Sequence, residues 1–162
     1  MQRDFRDIWA RSVSCAFNEL TQEPAYGWDT PEWWNDETLL ITSSQVVKGR
    51  RDDLYAWLMR AEVLSGVRAQ VLAGVAKPGA QWTVKPRTGG QLREAADCFH
   101  RASQIAASDT ADDLSEQLKQ RGDGCKMVAD AAGDDSGEID DVANKVIAAV
   151  YACQVVKDEQ GR

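Results

Sequence analysis

The spacing of apolar residues near the carboxyl end of the chain constrains its fold more than any other feature. Successive apolar or small residues there are separated by three, four, three, four and three positions, at Ile139, Val142, Val146, Ala149, Cys153 and Val156. Intervals that alternate between three and four place all of these side chains on one face of an α-helix, as in a bundle seam. Most of them are small, so a neighbouring helix can approach closely.

The same helical period extends over most of the remaining chain. It predicts further helices at about 3–20, 30–49, 52–75, 92–106 and 114–132. No segment shows the alternation of a half-buried strand. We therefore expect a single all-α domain over residues 1–162, folded as an antiparallel bundle of five to six helices. Whether residues 110–132 form one helix or two depends on Gly122 and Gly124, where the helix could break.

One segment, residues 76–90 with the sequence AKPGAQWTVKPRTGG, has no helical character. It contains two prolines and three glycines, which predict a long loop at about 76–90. We expect residues 78–90 to be mobile, with trypsin cutting first at Lys85 or Arg87. The isolated Trp82 in this loop is a candidate interface residue, because tryptophan is a common anchor of protein interfaces.

The segment WDTPEWWNDE, residues 28–37, holds three of the chain's six tryptophans. Thr30 and the proline after it are typical of a helix start, with a capping hydroxyl followed by a residue that needs no amide partner. Trp33 and Trp34 would then point about 100° apart on that helix. We expect Trp34 to face the core, and we take Trp28 and Trp33 as candidate interaction residues.

Charge is distributed unevenly along the chain. The net charge is −7, and the stretch from Asp109 to Asp141 alone holds 11 acids and 3 bases. Such a surface repels nucleic acid and attracts basic partners. Asp112, Asp134 and Asp135 are therefore candidate contacts for another protein with a basic surface, and a homo-oligomer is also allowed.

The sequence contains no phosphate-binding loop, nucleophile elbow or paired-cysteine metal motif, so we expect no cofactor, no metal and no catalytic residue. The one histidine, His100, is predicted at the surface. The four cysteines fall on apolar helix faces and are predicted to be reduced. No apolar run is long enough to cross a membrane, and no export signal is apparent, so we predict a cytoplasmic protein.

Two pairs of acidic residues suggest an alternative, enzymatic function. Asp113 and Glu116 are three residues apart, as are Glu138 and Asp141 in EIDDV. This resembles the E-x-x-E…E-x-x-D pattern of all-α MazG-type nucleoside triphosphate pyrophosphohydrolases, with aspartate in place of the first glutamate. The resemblance implies a magnesium ion between facing helices, which binds the triphosphate and activates water. The chain would have to reverse between the pairs, because one continuous helix would separate them by about 30 Å.

The leading hypothesis is a non-enzymatic helical protein that acts through protein–protein interaction, as an accessory, immunity or regulatory subunit. The region from Trp33 through GRRDDLYAW to Pro78 is similar to small helical companions encoded in bacterial defence cassettes. The alternatives are the magnesium-dependent pyrophosphohydrolase and an acidic decoy that occupies the groove of a nucleic-acid-binding protein.

The core assignment of Trp34 gives a first prediction. Trp34→Ala should lower the free energy of unfolding by roughly 3–5 kcal/mol, as truncation of a large buried side chain does. Urea unfolding of the variant and the parent chain measures the difference. Equal stability would mean that Trp34 belongs to an exposed aromatic patch.

Overall fold

The computed structural model describes residues 35–67 and 85–160, with side chains described as far as residue 154. The elements in chain order are α1 (Asp36–Gly49), α2 (Leu54–Ser65), β1 (Arg87–Thr88), α3 (Gly89–Ser108), α4 (Asp112–Ala132), β2 (Glu138–Ile139) and α5 (Val142–Gln160). The all-α class is confirmed for these residues, and the strands form only a two-residue antiparallel ladder, Arg87 opposite Ile139 and Thr88 opposite Glu138. The helix predicted at 3–20 and Trp28, Thr30, Trp33, Trp34 and Trp82 lie outside the described residues.

Side-chain caps fix where three of the helices begin. The Asn35 side chain accepts a hydrogen bond from the Thr38 amide at 2.9 Å, so α1 begins at Asp36 rather than at the predicted Thr30. Asp53 caps α2 in the same way. Thr88 and Gln91 form a reciprocal capping box, each side chain bonding the other's backbone amide. These bonds satisfy amides that the first helical turn leaves without partners.

The loop predicted over residues 76–90 is wrong at its carboxyl end. Residues 87–88 form β1, and α3 already begins at Gly89. The Gly89 and Gly90 amides donate to the carbonyls of Gly137 and Asp135 at 3.3 and 2.9 Å. A Cβ at Gly89 would lie only 2.7 Å from the Asp134 carbonyl oxygen. The glycines therefore permit a close contact between two backbones and do not mark a flexible segment.

Helix α4 is continuous across Gly122 and Gly124, where the sequence allowed a break. A Cβ at Gly122 would lie 2.6 Å from the His100 ring, and one at Gly124 would lie 2.7 Å from a Val150 methyl group. Each glycine faces a different neighbour, α3 on one side and α5 on the other. The two glycines thus let three helices pack closely, at a modest cost in helix propensity.

The last helix begins later than its apolar spacing predicts. Ile139, the first residue of the predicted stripe, lies in β2, and α5 starts at Val142. The first half of the stripe faces inward, because Ile139, Val142 and Val146 are all buried, whereas Ala149 and Cys153 are only partly buried and the Val156 side chain lies outside the described part of the structure. The prediction is thus confirmed for the first three residues of the stripe and wrong about the first turn of the helix.

The core lies among α2, α3, α4 and α5, with α3 packed against both α2 and α4. Its fully buried members are mostly small or aliphatic, with one aromatic ring: Ala61, Leu64, Leu92, Ala95, Phe99, Ala102, Ala106, Leu118, Cys125 and Val146. Alanines on α3 explain how its neighbours come so near. Within the described residues, no helix has both the length and the apolar character needed to cross a bilayer.

A buried ion pair joins the amino-terminal helices to the rest of the described structure. The Arg87 side chain is fully buried and Asp36 is 7% exposed. The guanidinium donates two bonds to the Asp36 carboxylate, at 2.8 and 2.6 Å. Its other donors reach the carbonyls of Leu64 at 3.0 Å, Val63 at 2.9 Å and Lys85 at 2.8 Å. All five guanidinium N–H groups therefore have acceptors.

The position of this pair matters as much as its geometry. Asp36 is the first residue of α1, where a negative charge is favourable, and Val63 and Leu64 lie in the last turn of α2, where a positive charge is favourable. Arg87, a residue of β1, thus bonds both the first residue of α1 and the last turn of α2. The enclosed side chain makes Arg87 a poor trypsin site, whereas Lys85 is exposed, so first cleavage at one of these two residues stays a prediction.

A second arginine, Arg60 on α2, connects three helices. It donates to the Leu40 carbonyl and, at 3.0 Å, to the Ser43 hydroxyl of α1, and it bonds the Glu94 carboxylate of α3 at 3.1 and 3.2 Å. Its Nε is the one buried side-chain polar atom without a partner among the described residues. The α1–α2 pair is therefore attached to α3 by polar contacts as well as by apolar packing.

The Arg87–Asp36 pair generates a stability prediction. Arg87→Met should lower the free energy of unfolding by about 3–5 kcal/mol, because it leaves a buried carboxylate without its partner. In the double variant Asp36→Leu/Arg87→Met, the free energy of unfolding should fall by much less than the sum of the decreases in the two single variants. Urea unfolding measures both quantities.

A matched control is Lys85→Met, which removes the exposed Lys85–Glu37 ion pair of 2.8 Å. An exposed pair contributes at most about 1 kcal/mol. If Arg87→Met lowers the free energy of unfolding by no more than Lys85→Met does, the buried pair does not stabilise the fold as we expect.

Candidate functional site

The structure separates the acidic residues that the sequence put forward as one interaction surface. Asp112 is the first residue of α4 and is exposed, and it belongs to the first turn, where acids stabilise the helix dipole. Asp134 and Asp135 follow the last residue of the same helix and are also exposed. Since α4 has 21 residues, about 30 Å lies between its two ends. Of the three candidate acids, two therefore lie at the carboxyl-terminal end of α4 and one at its amino-terminal end.

Asp134 and Asp135 also shape the local backbone. The Asp134 carboxylate accepts bonds from the Ser136 amide and hydroxyl, both at 3.0 Å, and these bonds lower the pKa of Asp134. Asp135 accepts a bond of 2.7 Å from Arg93, which also bonds Asp130 at 2.6 Å. Both residues are exposed to solvent despite these bonds.

An apolar groove opens beside these acids, between the last turns of α4 and the first turns of α5, with β2 at one end. Its volume is about 480 Å³, within the usual range of binding pockets. The lining is mostly aliphatic or small: Met127, Val128, Ala131, Ala132, Gly137, Glu138, Ile139, Lys145 and Ala149. Met127 is 48% exposed and is the most exposed large apolar side chain in the lining. We call this site the α4–α5 groove.

Local sequence explains why the groove is open. Ala131 and Ala132 have too little side chain to fill the space between the helices, and α4 then stops at Gly133, whose φ of 75° is left-handed. The chain crosses to α5 through Asp141, a non-glycine residue with a φ of 52°. Asn144 bonds the Asp141 carboxylate at 2.9 Å and helps to hold that turn.

The connection beside the groove is acidic, although Arg93 of α3 pairs with one of its acids, Asp135, at 2.7 Å. The connection over residues 133–141 contains five acids and no base. Glu138 is exposed and lines the groove, and Lys145 is the one cation in the lining. An apolar lining with an acidic edge has the composition of a surface that binds an apolar and basic partner.

A second groove lies at the α1–α2 turn and differs in character. It is lined by Gly49, Arg50, Arg51, Asp52, Asp53, Leu54, Tyr55, Ile105 and Asp109. Charges here pair with one another, Arg50 with Asp53 at 2.6 Å and Arg101 with Asp52 at 3.6 Å. The surface is polar and largely self-satisfied, so the α4–α5 groove is the stronger candidate.

The two acidic pairs that resemble the pyrophosphohydrolase pattern lie at different ends of α4. Asp113 and Glu116 are in its first turns, while Glu138 and Asp141 follow its last residue. The reversal that would bring the pairs together is absent, because the helix runs unbroken between them. Across the described residues, no group of three or more histidine, cysteine or acidic side chains is placed to hold a metal.

The histidine and cysteines are placed as follows. The His100 side chain is 34% exposed, which agrees with its predicted surface position, and its Nε2 lies 3.0 Å from an Asp123 carboxylate oxygen. Cys98 and Cys125 are buried free thiols, and burial raises the pKa of each to about 12. Cys153 is half-buried, with its Sγ 3.3 Å from the Met127 sulfur, and burial also raises its pKa. A thiol of raised pKa is a poor nucleophile at neutral pH.

Sequence reasoning missed most of the groove residues for a physical reason. Met127 lies two residues, or about 200°, from the buried Cys125 on α4, so the helical period places it away from the core face and gives no sign that it lines a groove. The one available signal was the run of small residues before Gly133, next to an acidic segment.

Comparison with known proteins gives no family for this chain. No family model matches it, and neither the curated proteins nor the solved structures give a significant match. The argument for function therefore rests on the geometry and charge of the described residues.

The acidic pairs generate a chemical prediction. We expect no pyrophosphate release from nucleoside triphosphates with Mg²⁺ or Mn²⁺, because Asp113 and Glu116 lie too far from Glu138 and Asp141 to share an ion. The measurement is a pyrophosphate assay on the full chain beside a Glu138→Gln variant. Turnover that disappears in Glu138→Gln would overturn this expectation and favour the enzyme.

Proposed function

We propose that this protein is a non-enzymatic binding subunit that recognises another protein through the α4–α5 groove. One observation carries the proposal: an open groove with a mostly apolar lining lies beside a connection that contains five acids and no base. A concave site lined mainly by apolar side chains, with a few polar groups at its edge, is the usual form of a binding site. The acidic edge would select a basic partner and speed its approach.

The framework around the groove supports a binding role. Gly122 and Gly124 hold α4 tightly against α3 and α5, and the Gly89 and Gly90 amides fasten the acidic turn to the start of α3. A groove built on packed helices is already shaped before a partner arrives. Binding then requires little ordering of the chain, which favours affinity.

The setting of this function is also a proposal. Free thiols at Cys98 and Cys125 suit the reducing cytoplasm, which is the predicted location. The likeness to helical companions of bacterial defence cassettes stays a prediction. In that setting the partner would be a protein encoded close by, and this chain would be its accessory or immunity subunit.

Capture of a partner tests the proposal. The tagged full chain, expressed in its native cell, should retain a specific protein at physiological salt, identified by mass spectrometry. Ala131→Arg should lose that protein, because it puts a long cation into the groove from an exposed helix position. Ala107→Arg, an equal change at an exposed position of α3, is the matched control and should retain it.

Two results would contradict the proposal. The first is equal capture by Ala131→Arg and Ala107→Arg, which would place the partner elsewhere. The second is a captured nucleic-acid-binding protein that added DNA or RNA displaces from every variant. Such competition is the behaviour expected of an acidic decoy, in which charge alone drives binding.

A further inference from the structure

The proposed function leaves open what kind of element occupies the α4–α5 groove. We infer that its occupant is a basic amphipathic α-helix of a partner protein, which inserts apolar side chains between α4 and α5 and sets lysines or arginines against the acidic connection. This inference rests on the proposed function and adds the chemistry and secondary structure of the bound segment.

The shape of the groove favours a helix. Two helices form its walls, with Met127, Val128 and Ala131 on α4 and Lys145 and Ala149 on α5. Rows of side chains on a third helix can pack into the channel between two others, with anchors three and four residues apart. Strand β2 at the end of the groove has only two residues, and it already pairs with β1. A bound strand would therefore find too short an edge to extend.

The lining of the groove favours aliphatic anchors. Met127 is unbranched and polarizable, so it adapts to side chains of different shape. Ala131 and Ala149 leave space beside it, and the buried Ile139 completes the lining. Leucine or methionine side chains on an incoming helix would fill this space and remove the exposed part of Met127 from water.

Charge favours a basic partner over a second copy of this chain as the occupant. The acidic connection of one copy would face the same five acids of the other, and the whole chain carries a net charge of −7. Like charges brought together at an interface oppose association. A helix rich in lysine or arginine carries the opposite charge, so the same acids attract it.

The experiment uses a synthetic helical peptide of about 18 residues, long enough to form a helix on binding, with leucines along one face and lysines along the other. Fluorescence anisotropy with the full chain should give a saturable Kd on the order of 10 µM. Two control peptides should bind at least about tenfold more weakly. One has glutamates in place of the lysines, and the other has the same composition in an order that destroys the apolar face.

Matched variants locate the binding. Met127→Ser removes the apolar side chain from the groove, whereas Ile147→Ser removes a side chain of similar exposure, 49% against 48%, that does not line it. Met127→Ser should weaken binding about tenfold and Ile147→Ser less than about twofold. Circular dichroism checks that both variants fold, and Ala131→Arg provides a second groove substitution.

Three results would overturn the inference. The scrambled peptide could bind as tightly as the amphipathic one, which would show attraction by charge alone. Met127→Ser and Ile147→Ser could have equal effects, which would place the peptide elsewhere. The amphipathic peptide could fail to bind even though Ala131→Arg abolishes capture of the natural partner. In that third case the proposed function would stand and only the helical, basic occupant would be wrong.

Discussion

The described structure depends on the enclosed contact between Arg87 and Asp36. Burying a guanidinium away from water costs free energy unless each of its N–H groups has an acceptor. Here the Asp36 carboxylate and three backbone carbonyls accept bonds from all five N–H groups. Because the acceptors belong to α1, α2 and the segment before β1, all three must be in place together. The contact therefore specifies one arrangement of these elements, whereas apolar packing alone would tolerate several.

The consequences extend to the groove through a short chain of contacts. Arg87 lies in β1 opposite Ile139, so its position fixes β2, and Ile139 lines the groove. The next residues, Thr88 to Gly90, start α3 and hold the acidic turn through two backbone bonds. The buried Arg87–Asp36 contact and the α4–α5 groove are thus connected through β1 and β2.

Much of the helical structure could be predicted from the sequence, because apolar spacing of three and four follows directly from helix geometry. The stretches around Phe99, Leu118 and Val146 were assigned correctly to buried helix faces. The segment before α3 was not, because its prolines and glycines are also typical of loops. Its informative signal was Thr88 followed three residues later by Gln91, the pattern of a capping box.

The site was harder to predict than the fold. Glycines at 122 and 124 indicated a break, but their function is close packing, which only the neighbours reveal. The candidate interaction residues in the sequence are tryptophans and aspartates, since these types are recognisable without a structure. Asp134 and Asp135 lie beside the groove, whereas Asp112 lies at the other end of α4. The remaining candidates lie outside the described residues: Trp28, Trp33 and Trp82. The helical period places Met127 away from the buried face of α4, but whether it lines a groove depends on where α5 packs, which the sequence does not show.

The central claim is that the α4–α5 groove is open and receives an apolar, basic segment. Methyl NMR of the full chain with ¹³C-labelled methionines tests it most directly, because Met127 lines the groove while Met59 is 1% exposed in the core. On titration with the leucine–lysine peptide, the Met127 methyl signal should shift saturably and the Met59 signal should stay in place. Saturable binding of the peptide with an unmoved Met127 signal would contradict the account.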